Sequence, residues 1–244
     1  MDRMIFLSMT GAKALMQRQD ALAHNLANAS TDGFRADLTA FRSVPVRQDG
    51  TATTRVANLE ATAGFDAASG PMRQTGRPLD VAVRGQGWFV VQASDGSEGY
   101  TRAGSFEVAA DGTLMTPRGL PVLGDGGPIV LPPNATPLVG SDGTITATVA
   151  GQAPVQVGRL RLVDPPLEDM RKSADGLFRM ADGAPAPDAP EARVAAGVLE
   201  GSNVNVVESM IGMIALSRQF EIQMRLMKTA ESNDQRATQL LSLR

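Results

Sequence analysis

The stretch that decides the fold spans residues 204–243 and runs VNVVESMIGMIALSRQFEIQMRLMKTAESNDQRATQLLSL. Its apolar residues recur at gaps of three and four with a few longer ones, which predicts a helix that buries one stripe against a partner helix. The stripe consists of Val206, Met213, Leu216, Phe220, Met227, Ala230, Ala237 and Leu241. A helix of about 40 residues, at 1.5 Å per residue, is roughly 60 Å long. Such a helix extends beyond a small domain, so something outside its own domain must cover the stripe.

A second helical pattern lies at the opposite end of the chain, over residues 4–28. One side of it carries Met4, Leu7, Gly11, Leu15, Leu22 and Leu26. No proline interrupts either terminal segment. The two patterns predict a coiled-coil-like stem in which the N- and C-terminal helices pair. The periodicity also fits an ordinary globular protein whose first and last helices pack on its core.

The chain between the helices changes texture at residue 76, where short runs of strand-forming residues alternate with turn residues. This spacing is typical of a mainly antiparallel β domain. The predicted fold class is therefore α+β. The predicted divisions are a helical stem from residues 1–30 and 203–244, a linker or extended region at 31–75, and a β-rich central domain at 76–202.

Several local features carry their own predictions. Leu38 and Phe41 lie in a short stretch compatible with a helix, and residues 155–163 form the longest strand candidate. Residues 183–190 are rich in alanine and proline, which predicts a surface loop. Ser202 or Asn203 is predicted to cap the N-terminus of the last helix.

Asp-Gly pairs recur along the chain, beginning at residues 32, 49, 95, 111, 125, 142, 175 and 182. A calcium-binding loop would need acidic residues at alternate positions and a glutamate at the twelfth position. None of these sites has that pattern, so the pairs are predicted to be turns.

The composition argues against nucleic-acid binding, nucleophilic catalysis and cofactor binding. The formal charge is −3, from 23 basic and 26 acidic residues, which leaves no basic patch for nucleic acid. Cysteine is absent and His24 is the only histidine, so no thiolate nucleophile, zinc site or serine-histidine-aspartate triad is expected. The Gly85-Gln86-Gly87 segment lacks the third glycine of a dinucleotide-binding loop. We therefore expect no catalytic residues, no cofactor, no metal and no small-molecule substrate.

The N-terminus raises the question of a targeting signal. The apolar run Met4-Ile5-Phe6-Leu7 is too short for a secretory signal peptide, and polar residues follow it. No run of 18 apolar residues occurs anywhere in the chain. We expect neither a cleaved signal nor a membrane span.

Three motifs resemble those of bacterial flagellar rod and hook proteins. Residues 24–35, HNLANASTDGFR, are similar to the N-terminal signature of that family, with His24 in place of the usual leading asparagine. Residues 197–205, GVLEGSNVN, resemble its C-terminal signature, and residues 85–89 and 100–106 resemble its central domain. The opening Met1-Asp2-Arg3 and residues 220–230 resemble the proximal rod subunit most, with the distal rod subunit as the nearest competitor.

The resemblance implies a structural subunit of the basal-body rod, needed for motility, in which the terminal segments form an inner tube. It implies export without a cleaved signal through the flagellar type III apparatus, and a place in the rod that crosses the periplasm. The implied partners are other rod subunits, copies of the same chain and the export apparatus.

The terminal helices are expected to form the main assembly surface. Its predicted apolar anchors are Leu15, Leu22, Leu26, Met213, Leu216, Phe220 and Met227. The joints between the helices and the β domain are predicted to depend on Asn25, Asn28, Gly33, Phe34, Ser202 and Asn203.

Two other functions stay open at the level of sequence. The chain could be a distal rod or hook subunit of the same family. It could also be a secreted β-rich binding module or a glycan-processing enzyme, because Asp80, Glu107 and Asp111 in the β region could supply a pair of carboxylates. Each of these residues is equally well placed to be a strand-edge or turn residue.

Overall fold

Helices at both ends and antiparallel strands between them make up the computed structural model, which describes residues 2–45 and 56–242. The predicted α+β class is confirmed. The chain divides into a helical unit (Met1–Asn28, Ala36–Asp66 and Val204–Arg244) and a β unit (Ala29–Arg35 and Ala67–Asn203). No helix in the described part of the chain is long and apolar enough to cross a membrane.

The helical unit contains α1 (Asp2–Ala27), α2 (Val206–Ser242) and a hairpin of β1 (Asp37–Pro45) and β2 (Val56–Phe65). The two helices lie side by side and run in opposite directions. Gly212 of α2 faces Leu22 of α1, and Gly11 of α1 faces the Gln223 side chain of α2. The two contacts are 11 residues apart on each helix and in reversed order, which fixes the antiparallel register.

The predicted N-cap of the last helix is wrong. Asn205 takes this role, because its Oδ1 accepts a hydrogen bond from the Glu208 N–H at 3.2 Å and its carbonyl accepts one from Ser209 at 3.0 Å. Ser202 and Asn203 lie in the β unit instead. All three residues are good caps, so composition alone could not choose among them.

The region 31–75, predicted as a linker, is divided between the two units. The predicted helical stretch around Leu38 and Phe41 is wrong, since both residues lie in β1. β1 pairs with β2 along its whole length, with one register shift between Leu38 and Thr39. This pairing satisfies the backbone of β1, whereas an isolated helix of one turn has an unfavourable nucleus.

The β unit holds sixteen short strands in its described residues. They are β3 (Met72–Gln74), β4 (Val81–Arg84), β5 (Trp88–Gln92), β6 (Glu98–Thr101), β7 (Glu107–Val108), β8 (Leu114–Met115), β9 (Leu123–Gly124), β10 (Gly127–Pro128), β11 (Thr136–Val139), β12 (Thr144–Thr148), β13 (Val155–Arg159), β14 (Leu162–Val163), β15 (Met170–Lys172), β16 (Phe178–Met180), β17 (Arg193–Ala196) and β18 (Val198–Glu200). A short 3₁₀ helix spans Leu167–Asp169.

The strands of the β unit pair antiparallel throughout its described ladders. One sheet has the order β14-β5-β6-β16-β15 and another has the order β11-β12-β13. β17 pairs with β4 and β18 pairs with β3. A single apolar cluster, which includes Val81, Phe89, Phe106, Ile145 and Leu160, lies beneath these strands.

The longest strand predicted from sequence, residues 155–163, is interrupted at Leu160. β13 pairs with β12, whereas β14 pairs with β5 of the five-stranded sheet. Leu160 lies between them, buried, in a bridge to Gly124. The segment therefore changes sheets, which a run of alternating residues does not reveal.

The alanine- and proline-rich loop at 183–190 is not only a surface loop. Ala186 is buried, and its N–H donates a hydrogen bond of 2.8 Å to the hydroxyl of Tyr100. Asp188 forms a bridge with Val163. Burial raises the pKa of Tyr100, and the Ala186 N–H acts in the opposite direction. The loop docks because a buried tyrosine hydroxyl needs a hydrogen-bond partner.

The Asp-Gly pairs are turns, as predicted, in the described part of the chain; the pair at residue 49 lies outside it. Five of them share one geometry in which the aspartate carboxylate accepts the N–H two residues on and the glycine has a positive φ. The carboxylates belong to Asp95, Asp111, Asp142, Asp175 and Asp182. The glycines, with φ between 73° and 88°, are Gly96, Gly112, Gly143, Gly176 and Gly183.

These turns predict a response to acid. The Thr144 hydroxyl, followed by the Thr144 N–H, lowers the pKa of Asp142 from its ordinary 3.8. Stability from this carboxylate is therefore complete above pH 3.8 and is lost as the pH falls through the lower folded-state pKa. We expect a carbon NMR titration of the Asp142 carboxyl to show an inflection below 3.8, and Thr144→Val to move it upward. An inflection at or above 3.8 in the unaltered protein would contradict the turn geometry.

Candidate functional site

The predicted anchors lie on the inward side of the two helices. Leu216 is buried, with 5% of its surface exposed, and Leu15, Leu22, Leu26, Met213, Phe220 and Met227 are half-buried. Leu15 also lines an open cleft of about 320 Å³ between α1 and α2. At 100° per residue, the α2 anchors share one side of that helix with the buried Ser209 and Ala230.

The opposite side of α2 carries an apolar stripe that the sequence analysis missed. It consists of Val207, Met210, Ile211 and Ile214, which are 66%, 50%, 63% and 56% exposed. Their spacing of i, i+3, i+4 and i+7 places them within about 100° of arc, centred roughly opposite Leu216. We call these residues the outer stripe. The helical period of these four residues is present in the sequence, but a prediction based on a single apolar seam does not include a second apolar side.

The outer stripe is confined to the first turns of α2. Further along the helix, the same side carries the exposed residues Arg218, Glu221 and Arg225. α1 adds exposed apolar residues to the helical unit, namely Leu7, Met9 and Met16. A helix of a globular protein ordinarily covers its large apolar residues, so this arrangement is typical of a surface that binds another chain.

Two asparagines of the N-terminal motif fix the end of α1. The Asn25 amide binds the backbone of Asp37 twice: Nδ2 donates to the carbonyl at 3.0 Å and Oδ1 accepts the N–H at 2.8 Å. Asn28 donates from Nδ2 to the carbonyl of His24 at 2.9 Å. His24 Nδ1 lies 2.7 Å from Asp37 Oδ2. These bonds hold β1 against the last turn of α1 within the helical unit.

The remaining residues of that motif, Ala29–Arg35, belong to the β unit, and we call this segment the strap. Gly33 has a φ of +69°, and its N–H donates to the Glu200 carbonyl at 2.7 Å. A Cβ on Gly33 would lie 2.2 Å from the backbone nitrogen of Ala103. Only glycine therefore fits at this position, for reasons of both conformation and space.

Phe34 and the C-terminal motif complete the attachment of the strap. The Lys172 ammonium lies 3.9 Å from the Phe34 ring centroid, which is cation–π geometry. Asn203 donates its backbone N–H to the Phe34 carbonyl at 3.4 Å and its side-chain Nδ2 to the Ala68 carbonyl at 3.0 Å. Ser202 beside it is buried. The predicted joint residues Gly33, Phe34 and Asn203 are thus brought together.

A buried charge cluster lies at the end of the strap. Arg35 Nη2 donates to Glu200 Oε1 at 2.7 Å, and Arg102 Nη1 lies 3.4 Å from Glu200 Oε2. The side chains of Arg35 and Glu200 are 0% exposed and that of Arg102 is 5% exposed. Gly70 also donates its N–H to Glu200 Oε1 at 3.1 Å. We call Arg35, Arg102 and Glu200 the ion triad.

The ion triad packs on an aromatic pair. The guanidinium carbons of Arg35 and Arg102 lie 5.8 and 5.4 Å from the ring centroid of Trp88, and Phe178 packs on the same indole at 4.6 Å. Burial lowers the pKa of Arg102, and the Glu200 carboxylate acts against this effect. Each residue of the ion triad lies in one of the sequence motifs described above, but the motifs do not show that the three residues meet. Arg35 and Glu200 are 165 positions apart, so no local pattern could have done so.

The carboxylates of the alternative enzyme hypothesis have local partners. Asp80 is buried and forms an ion pair with Arg77 at 2.7 Å. Glu107 is exposed, and Asp111 accepts the Thr113 N–H in one of the turns. The described residues hold no group of three or more side chains suited to a metal ion.

Three family models match separate parts of the chain. Residues 7–35 match "Flagella basal body rod protein", residues 82–147 match "Flagellar hook protein FlgE/F/G D1 domain", and residues 195–240 match "Flagellar basal body rod FlgEFG protein C-terminal". A curated relative from Salmonella typhimurium, the flagellar basal-body rod protein FlgF, is 46% identical over 253 aligned residues and is covered, like this chain, over its full length.

The chain belongs to the flagellar basal-body rod proteins. The resemblance found in the sequence motifs is thereby confirmed. Among other rod proteins, FlgF of Caulobacter vibrioides is 33% identical, with 95% of each chain covered. FlgG of Buchnera aphidicola subsp. Schizaphis graminum is 31% identical, with 97% of this chain and 98% of the relative covered.

The ion triad takes one residue from each of the three matched regions of this rod protein. Arg35 is the last residue of the N-terminal match, Arg102 lies in the central match and Glu200 lies in the C-terminal match. The three signatures are therefore joined through buried charges in the β unit.

Proposed function

We propose that this rod protein is a non-enzymatic structural subunit of the flagellar basal-body rod and polymerises through its helical unit. The observation that carries the proposal is the outer stripe, in which each of the four large apolar residues has at least half of its surface exposed. Covering such a side chain contributes about 1.5–3 kcal/mol relative to leaving it in water. Four of them on one helical side supply a substantial drive for docking against a neighbouring helix.

In this proposal the two sides of α2 make different contacts. The anchors on the inward side, together with Leu15, Leu22 and Leu26, hold α1 and α2 together as a coiled-coil-like stem, in place of the contact between subunits that the sequence predicts for them. The outer stripe binds the next subunit. Asn25 and Asn28 set the end of α1, while Gly33, Phe34, Ser202 and Asn203 hold the strap.

A rod is a helical array of subunits, so the proposed contact is heterologous: the outer stripe of one subunit meets a different surface on its neighbour. Heterologous contacts generate open helical arrays when the rotation does not close into a ring. The proposed contact therefore builds a polymer rather than a closed dimer. The proposed neighbours are copies of this chain and other rod subunits, with no nucleic acid or small-molecule substrate.

The proposed location is the basal body, in the part of the rod that crosses the periplasm. We propose that the chain arrives there through the flagellar export apparatus without a cleaved signal. The absence of cysteine supports this route, because the periplasm is oxidising and a chain without thiols forms no unwanted disulfides. The higher identity to the FlgF relative, 46% against 31% for the FlgG relative, supports the proximal rod over the distal rod.

The test is Ile211→Asp in the chromosomal copy of the motile host. A carboxylate on the outer stripe cannot be desolvated cheaply at a helix interface, so we expect loss of swimming and of completed rods in isolated basal bodies. The purified variant should keep its helicity and melting temperature, because Ile211 is 63% exposed in the subunit.

The matched control is Asn233→Asp, which adds the same charge at an exposed position of the same helix. Normal swimming of the control together with loss in Ile211→Asp supports the stripe as an assembly surface. Normal swimming of both strains contradicts it.

A further inference from the structure

The strap is attached to the β unit through segments that are distant in sequence. Gly33 and Arg35 bind Glu200, Phe34 binds Asn203, and the Lys172 ammonium donates to the Arg35 carbonyl at 3.0 Å. These bonds reach residues more than 130 positions away along the chain. The attachment of the strap to the β unit therefore depends on residues in the C-terminal part of that unit.

The last strand of the β unit, β18, also makes few contacts with residues close to it in sequence. β18 pairs with β3 over three residues only, and all three residues of β3 are exposed. A two-stranded ribbon of this length is marginal by itself. Glu200, the last residue of β18, places its carboxylate between the strap and Arg102.

The charges of the ion triad make the two attachments depend on one another. If the strap were docked without Glu200, the Arg35 guanidinium would be buried without a carboxylate. If β18 were docked without Arg35, Glu200 would keep the Gly70 N–H at 3.1 Å and the longer contact to Arg102, whose Nη2 is engaged with the Gly85 carbonyl at 2.7 Å. Burying Arg35 without its carboxylate is strongly unfavourable, and burying Glu200 without Arg35 leaves it only the longer ion pair to Arg102. Each partly docked state is therefore less favourable than the closed one.

We propose that Arg35, Glu200 and Arg102 form an interlock that closes the β unit only when the strap and β18 are both in place. The proposal is independent of rod assembly. It concerns the order within one subunit, where the N-terminal motif and the C-terminal motif dock together or not at all. The Trp88 ring packs beside both guanidinium groups of the interlock.

Hydrogen exchange of the full-length protein, resolved by peptide mass, tests the interlock. Arg35→Met removes the charge at the N-terminal end and leaves β3 and β18 chemically unchanged. We expect exchange to rise by about tenfold or more at residues 29–35, 72–74 and 198–200 together, because these segments open as one unit. Exchange at residues 144–159, in the β12–β13 hairpin, should stay as it is.

Arg73→Met is the matched control, because Arg73 forms the other ion pair of the strap, to Asp32 at 3.1 Å, with 64% of its side chain exposed. This control should change exchange at residues 198–200 less than about threefold. The double variant Arg35→Met with Glu200→Gln should open the three segments no more than the more severe single variant. This lack of additivity is expected if both side chains act through the same charge network, and the joint rise of exchange in the three segments reports the shared opening.

The interlock is overturned if Arg35→Met raises exchange in the strap alone while residues 72–74 and 198–200 keep their protection. It is also overturned if the two substitutions act additively. Should Arg35→Met not fold, Arg35→Lys keeps the charge and loses the guanidinium geometry, and the same comparison of segments decides the outcome.

Discussion

Replacing Glu200 by alanine lowers the free energy of unfolding of the β unit by about 3–5 kcal/mol. The carboxylate is fully buried and contacts two guanidinium groups and the Gly70 N–H. Its removal leaves Arg35 and Arg102 charged and buried without the carboxylate that they share. A loss of this size lowers the melting temperature of a unit of this length by roughly 10–20 °C. Differential scanning calorimetry of the purified protein measures it.

The control for this prediction is Asp188→Ala. Asp188 pairs with Arg161 at 2.8 Å, but its side chain is 68% exposed. An exposed pair contributes about 0–1 kcal/mol, so the melting temperature should change by only a few degrees. If Glu200→Ala destabilises no more than this control, the ion triad is not a determinant of stability.

Gly33→Ala has an effect of similar size, about 3 kcal/mol or more, for a steric reason. The φ of +69° costs any L residue about 1–2 kcal/mol. The added Cβ would also lie 2.2 Å from Ala103 N and 2.3 Å from Arg102 C, both backbone atoms that cannot move aside. The strap must shift, and the shift carries Arg35 away from Glu200. Urea unfolding followed by circular dichroism gives the change in free energy.

Gly76→Ala separates the two parts of this cost. Gly76 has nearly the same φ, +74°, but a Cβ there would meet nothing within 4 Å. Its substitution should therefore cost only the conformational part, about 1–2 kcal/mol. Equal losses at Gly33 and Gly76 would show that the approach to Ala103 is not tight.

Features with a local cause could be predicted from the sequence. The two terminal helices follow from apolar periodicity, and the turn at Asp142-Gly143 follows from residue types that act within three positions. The carboxylate caps an N–H two residues on, and the glycine supplies the positive φ, so no distant residue is needed. The motif residues Asn25 and Asn28 were predicted to fix joints between the helices and the β domain, but the sequence alone did not identify the groups that they bind, namely the Asp37 backbone and the His24 carbonyl.

Features set by distant partners could not be predicted. Whether Asn203 or Asn205 caps α2 depends on Phe34, whose carbonyl accepts the Asn203 N–H and keeps that residue in the β unit. The interruption at Leu160 depends on β5, which pairs with the continuation of the chain. In both cases, pairing with a distant segment outweighed a local preference: the capping preference of Asn203 and the strand-forming pattern of residues 155–163.

The candidate site divides in the same way. The predicted anchors follow a helical period on the inward side of α2. The outer stripe follows the same period on the other side, so a prediction based on a single apolar seam leaves it out. The ion triad has no period at all. A charged residue in a sequence is ordinarily exposed, so Arg35 and Glu200 carry no mark of burial until the chain brings them together.

Trp88 gives this protein a built-in optical probe. It is the only tryptophan of the chain, and Tyr100 is the only tyrosine, so indole and phenol signals arise from the β unit alone. The indole is buried against Phe178 and beside the guanidinium groups of the ion triad, and loosening of the strap would expose it to water and shift its emission to longer wavelength. The long helices of the other unit dominate far-ultraviolet ellipticity and carry no tryptophan. One unlabelled sample therefore yields two separate melting curves, one for each unit.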